Sequence, residues 1–72
     1  MESQIAWVGE HKIETGKRMT LRLYWAKSDA GATVKKIVTR GSDLSVVFDV
    51  DGIEDPLSIH ESHLKYCIQP RH

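Results

Sequence analysis

The chain has 72 residues, one cysteine, and equal numbers of basic and acidic side chains, ten of each. A chain this short buries only about 60% of the surface its unfolded form exposes, which sets one domain of at most two packed layers and excludes a deep internal cavity. Zero net charge speaks against strong non-specific nucleic-acid binding, and a single cysteine excludes an internal disulfide.

A secreted domain of this size ordinarily carries several cysteines. No basic start followed by an apolar run reads as a signal peptide. No apolar stretch reaches the roughly 20 residues that a membrane-crossing helix needs. The expectation is a soluble, cytoplasmic, single-domain protein with no membrane partner. A neutral domain this small gains stability by self-association, so a homodimer is expected as well.

In chain order, Ile5–Gly9 (IAWVG) is an apolar burst ending in glycine, read as a strand or as an arm packed on the body. Residues 11–18 are polar, with a break at Gly16. MTLRLYWA, residues 19–26, alternates Met19, Leu21, Leu23 and Trp25 against Thr20, Arg22, Tyr24 and Ala26, the period of a strand with one core face. KSDAG, residues 27–31, has turn composition.

In ATVKKIVTR, residues 32–40, Val34 and Val38 share one parity and Ile37 takes the other. A strand that changes face in mid-run predicts a bulge near Lys35 and Lys36. A turn at Gly41–Asp43 follows, then LSVVFDV with Leu44, Val46, Phe48 and Val50 on one face. Asp51-Gly52 suits a two-residue hairpin loop with positive φ at both positions. That register pairs Val50 with Ile53, Phe48 with Asp55, Val46 with Leu57 and Leu44 with Ile59. Pro56 lacks a backbone donor and marks the second strand as an edge or a bulged one. HESH, residues 60–63, reads as at most one helical turn, LKYCI as a closing strand with Leu64, Tyr66 and Ile68 on one side, and residues 69–72 as a tail.

The result is a mostly antiparallel, all-β chain of about five short strands. Residues 32–68, with the twisted strand VKKIV, the turn at Gly41, LSVVFDV, the Asp-Gly hairpin, DPLSI and the one-turn break before LKYC, resemble a Src-homology-3-like or Tudor-like small barrel. The resemblance implies a module that binds peptides, modified side chains, nucleic acid or its own copies, without choosing among them.

Several residue sets carry candidate chemistry. VVFDVD resembles the first motif of haloacid-dehalogenase-type phosphotransferases, in which Asp49 would be the nucleophile, Asp51 the acid or base, and Mg²⁺ the counter-charge. Too few residues follow Asp51 for even one crossover unit of roughly 30, and the hairpin accounts for the same letters. Asp49, Asp51, Glu54 and Asp55 lack the spacing of a calcium loop. His60, His63 and Cys67 would share a face on a helix and suit Zn²⁺, but the strand reading of residues 64–68 splits them. No fixed base is evident beside Cys67 that would make it a nucleophile. No cofactor, metal or catalytic residue is therefore expected.

The aromatics are more informative, because a domain this small cannot bury all of Trp7, Tyr24, Trp25 and Tyr66. Trp25 falls on the core face of its strand, whereas Tyr24 and Arg22 fall on the opposite one. Tyr and Arg are typical contact residues. Trp7, Arg22, Tyr24 and Tyr66 are the candidate binding residues of a non-enzymatic binding or assembly module, with a second copy or another protein as partner. Such a chain fits the setting of an accessory protein of a mobile element. Lys35, Lys36 and Arg40 form the alternative, a nucleic-acid surface with aromatic stacking. A second alternative is a small oligomeric enzyme whose site forms between subunits.

Overall fold

The computed structural model describes residues 2–23 and 29–68. Within them the elements are β1 (Glu2–Ser3), β2 (Ile5–Val8), β3 (His11–Glu14), β4 (Arg18–Leu21), β5 (Ala30–Arg40), β6 (Asp43–Val50), β7 (Leu57–His60) and one helix, α1 (Glu61–Cys67). The chain is mostly strand, as the alternation predicts. The main sheet runs β1-β5-β6-β7, with β4 also bonded to β5, and β2 pairs with β3 in a separate two-stranded sheet. Both sheets are open: among the described residues no ladder closes into a barrel. No helix there is long and apolar enough to cross a membrane.

The predicted irregularity near Lys35 and Lys36 is present. β5 and β6 pair as Val34↔Phe48 and then Lys36↔Val47, so Lys35 has no partner across the ladder. The bulge changes parity, which sends Ala32 and Val34 inward before it and Ile37 inward after it. Val46, Phe48 and Val50 meet them from β6, and Ile59 from β7. Val8 and Ile13, on the inner face of the β2–β3 sheet, and Leu64 and Ile68 join the same cluster.

β4 and β1 both bond to the edge of β5 that faces away from β6. Arg18–Leu21 pair with residues 30–33, and Glu2 and Ser3 pair with Val38 and Ile37. Between them Gly16 donates to the Val34 carbonyl at 2.8 Å, and Val34 donates to that of Lys17 at 2.9 Å. The β2–β3 hairpin is thus an excursion between two segments that share one edge.

Four readings of the sequence are corrected here. Residues 11–14 form a strand; its one buried apolar side chain, Ile13, gave no alternation to see. The strand beginning near Met19 ends at Leu21, although Leu21 and Leu23 are buried on the face expected of them. The β6–β7 register is two residues longer than expected, with Phe48↔Leu57 and Val46↔Ile59. Asp51 and Gly52 do form a turn, with Ile53 donating to Val50 at 3.0 Å, but φ is positive only at Gly52. That is the pattern of a type II turn, which splays a hairpin where a type I′ turn would continue it. Pairing resumes only at Leu57, and Ile53 stays exposed. A slip of two preserves parity, so the buried face is the expected one.

The fourth correction is LKYCI, which is the body of α1 and its C-cap, not a strand. Leu64 and Ile68, four apart, are buried, while Tyr66 points out. Glu61 in the first turn and Lys65 in the last complement the helix dipole.

On the outer face of the main sheet Arg18 grips Asp51 with two hydrogen bonds, Nη1–Oδ1 at 3.1 Å and Nη2–Oδ2 at 2.6 Å, and also donates to Thr33 Oγ1 at 3.1 Å. The guanidinium crosses β5 above Gly31, where a Cβ would lie 2.7 Å from both Nη2 and Oδ2. The missing side chain leaves the space that the pair occupies in this arrangement. Hydrogen bonding from Arg18 is the main cause holding the Asp51 carboxyl below the usual carboxylate range; desolvation opposes it, and the charge of Arg18 adds a lesser lowering.

Two outcomes are expected. Phe48 is fully buried, so Phe48→Ala lowers unfolding free energy by about 3–5 kcal/mol, read by urea denaturation. The folded Asp51 value is depressed, so its stabilising contribution is present above the unfolded value near 3.9 and is lost as pH falls through the folded value. Wild type therefore melts above Asp51→Asn at neutral pH, and the gap closes in acid and narrows in high salt. A gap independent of pH contradicts the assignment.

Candidate functional site

β4 ends at Leu21, and the next residue, Arg22, donates its backbone N–H to the carbonyl of Cys67 at 2.9 Å. This bond satisfies a carbonyl of the last turn of α1, which has no partner within the helix. It sets the segment after β4 beside the helix. Leu23 turns inward and is buried, while the Arg22 side chain stays largely in solvent with Nε 3.7 Å from Asp29 Oδ1.

On the helix side, His63, Tyr66 and Cys67 are spaced three and four apart and share a face. Together with Arg22, Leu23, Ile59 and His60 they line an open cleft of 540 Å³. Leu23 and Ile59 supply its apolar floor, and Arg22, His60, His63 and Tyr66 its polar and aromatic rim. Tyr66 is 63% exposed, and the Lys65 ammonium lies 5.3 Å from its ring centroid, within cation–π range. Burial pushes the Cys67 thiol up from its ordinary value, the direction opposite to that of an activated thiol.

His60 fixes the start of the helix. It is the N-cap, and its Nδ1 accepts from the Ser62 backbone N–H at 3.2 Å, with Ser62 Oγ 2.9 Å away. An accepting Nδ1 leaves the proton of the neutral ring on Nε2, which faces Asp43 Oδ1 at 3.4 Å. The cap therefore connects the cleft wall to the beginning of β6.

Of the four candidate binding residues, the structure brings together Arg22 and Tyr66. Trp7 lies elsewhere, 61% exposed on β2, and Tyr24 falls outside the described residues. The candidate basic surface is dispersed by its own ladder. Lys35 and Lys36 are exposed at the bulge, but Arg40 stands opposite Asp43, and Val38, between Lys36 and Arg40, pairs with Glu2. Asp49 is exposed opposite Thr33, and Asp51 is engaged by Arg18. Among the described residues no three His, Cys, Asp or Glu side chains gather to hold a metal ion.

The sequence reading missed His63, Cys67, Leu23 and Ile59 as neighbours in one cleft. The one signal available was the i, i+4 spacing of Leu64 and Ile68, which fits a helix as well as a strand and on a helix puts His63, Tyr66 and Cys67 on a shared side.

No family model matches this chain, and no curated protein or solved structure matches it either.

The capping role of His60 has a direct check. His60→Ala removes the acceptor of the Ser62 amide and lowers stability by about 1 kcal/mol, whereas His60→Asn restores a capping side chain and most of the loss. Equal losses in the two variants, measured by chemical denaturation, would show that the cap does not hold the helix.

Proposed function

We propose that the chain is a non-enzymatic binding module of the small Src-homology-3-like or Tudor-like kind, and that it acts on a protein partner through the cleft between Arg22 and α1. The observation that carries this reading is the meeting of two exposed contact-type side chains, Arg22 and Tyr66, across an open cleft floored by Leu23 and Ile59. Interfaces concentrate their energy in aromatic and arginine side chains set around a desolvated centre. An extended segment presenting an apolar side chain to Leu23 and Ile59 and a carboxylate to Arg22 fits that arrangement. The Arg22–Asp29 contact is long and its Arg22 side chain is largely in solvent, so it is weak enough to be exchanged for a ligand carboxylate.

The test is selection of a displayed random-peptide library on the purified domain, followed by affinity measurement of the selected peptides. The expected peptides pair an apolar residue with Asp or Glu. They lose about tenfold or more in affinity on Tyr66→Ala and on Arg22→Ala, with the melting temperature unchanged. Peptides indifferent to both substitutions sink the reading. So does a mixed-sequence oligonucleotide that binds more tightly than any peptide and with a steep salt dependence, which would move the function to the basic strand.

A further inference from the structure

The β2–β3 sheet has a second face that the core does not use. Its inner side chains, Val8 and Ile13, are buried, with Ala6 packed against them. Its outer side chains form a square set by the register Ile5↔Glu14 and Trp7↔Lys12. Ile5 and Trp7 run along β2 at 47% and 61% exposure, and Lys12 and Glu14 run beside them on β3 with their charged ends 3.6 Å apart. An exposed Trp beside an exposed Ile on a face that folding does not need marks a contact surface. The face carries one charge of each sign, and their placement says which partner fits.

We infer that this face docks on the same face of a second copy of the chain, about a two-fold axis lying in the interface and running across the strands. That rotation exchanges the two rows of the square. Trp7 then meets the second copy's Ile5, and Lys12 meets the second copy's Glu14, each contact occurring twice. The other in-plane axis, along the strands, would set Ile5 against Glu14 and is excluded by the burial of a carboxylate on an apolar side chain. Isologous dimers require this kind of self-complementarity. None of the four residues lines the cleft, so the inference goes beyond the peptide-binding reading, and either stands if the other falls.

The experiment is light scattering coupled to size exclusion over a protein series from low micromolar to about 1 mM, on wild type and on Trp7→Ala, Lys12→Glu and Glu14→Lys. Wild type is expected to dimerise, and Trp7→Ala to weaken the dimer by about thirtyfold. Lys12→Glu alone sets carboxylates against each other at both ends, and Glu14→Lys alone sets ammonium groups against each other, so each variant alone is weaker than wild type. An equimolar mixture of the two single variants restores all opposite-sign contacts and recovers the dimer. Circular dichroism and melting curves check that each variant is folded; should Trp7→Ala unfold, the charge pair and its mixture decide alone. A wild-type monomer throughout, a dimer indifferent to Trp7→Ala in a folded protein, or a mixture no tighter than its components overturns the inference.

Discussion

The backbone of Ala30–Arg40 bonds along both edges while its apolar side chains must reach one core, and a straight strand of this sequence fails that requirement. With uninterrupted alternation, Ala32 and Val34 would face inward together with Lys36 and Arg40, while Ile37 faced water. Burying unpaired ammonium and guanidinium groups costs far more than any ladder bond returns. One unpaired residue, Lys35, resolves the conflict by changing the parity in mid-strand. Its position follows from the sequence, since the change must fall between the last inward residue of one parity, Val34, and the first of the other, Ile37.

The rest of the architecture follows from that strand. Its N-terminal half pairs with β4 and its C-terminal half with β1, both on the same edge, and the chain between them leaves the sheet and folds over as the β2–β3 hairpin. Arg18 ties β4 to the far end of β6 across Gly31, a clasp that reinforces the order of three strands over a position left open by the missing side chain. At the other end the Arg22–Cys67 backbone bond fastens the exit of β4 to the helix. The cleft is the space left between these two fastened segments, its walls positioned by that backbone bond and by the His60 cap at the start of the helix.

Much of the main sheet was legible because its information is period two. The inward faces of residues 44–50 and 57–59 and the break at Lys35 can be read from side-chain parity alone. What parity cannot report is a slip of an even number of residues. The Asp51–Gly52 turn, with positive φ only at its second position, lengthened the connection by two without exposing a core residue. The helix was misread for a related reason: in seven residues, Leu64, Tyr66 and Ile68 satisfy a strand as well as Leu64 and Ile68 satisfy a helix, and only the buried or exposed state of Tyr66 separates the two. Arg22 and Tyr66 were recognisable as contact residues by type. Their proximity was not, because it depends on the helix and on a backbone bond that no side chain announces.

Apart from Ile53 at its turn, the exposed contact-type side chains fall into two groups that differ in what surrounds them. Tyr66 and Arg22 border a concavity with an apolar floor and a polar and aromatic rim, a geometry that favours an extended segment over a flat surface. Ile5 and Trp7 lie on the outer face of a two-stranded sheet beside a balanced charge pair, an arrangement complementary to the same face of a second copy. Neither group contributes to the buried cluster, whose members come from the opposite side of each element. The core would be complete with polar residues at Ile5, Trp7 and Tyr66 as well. Their exposure is therefore independent of folding, and it is this apolar area, kept in water without a structural need, on which the peptide-binding and dimer proposals rest.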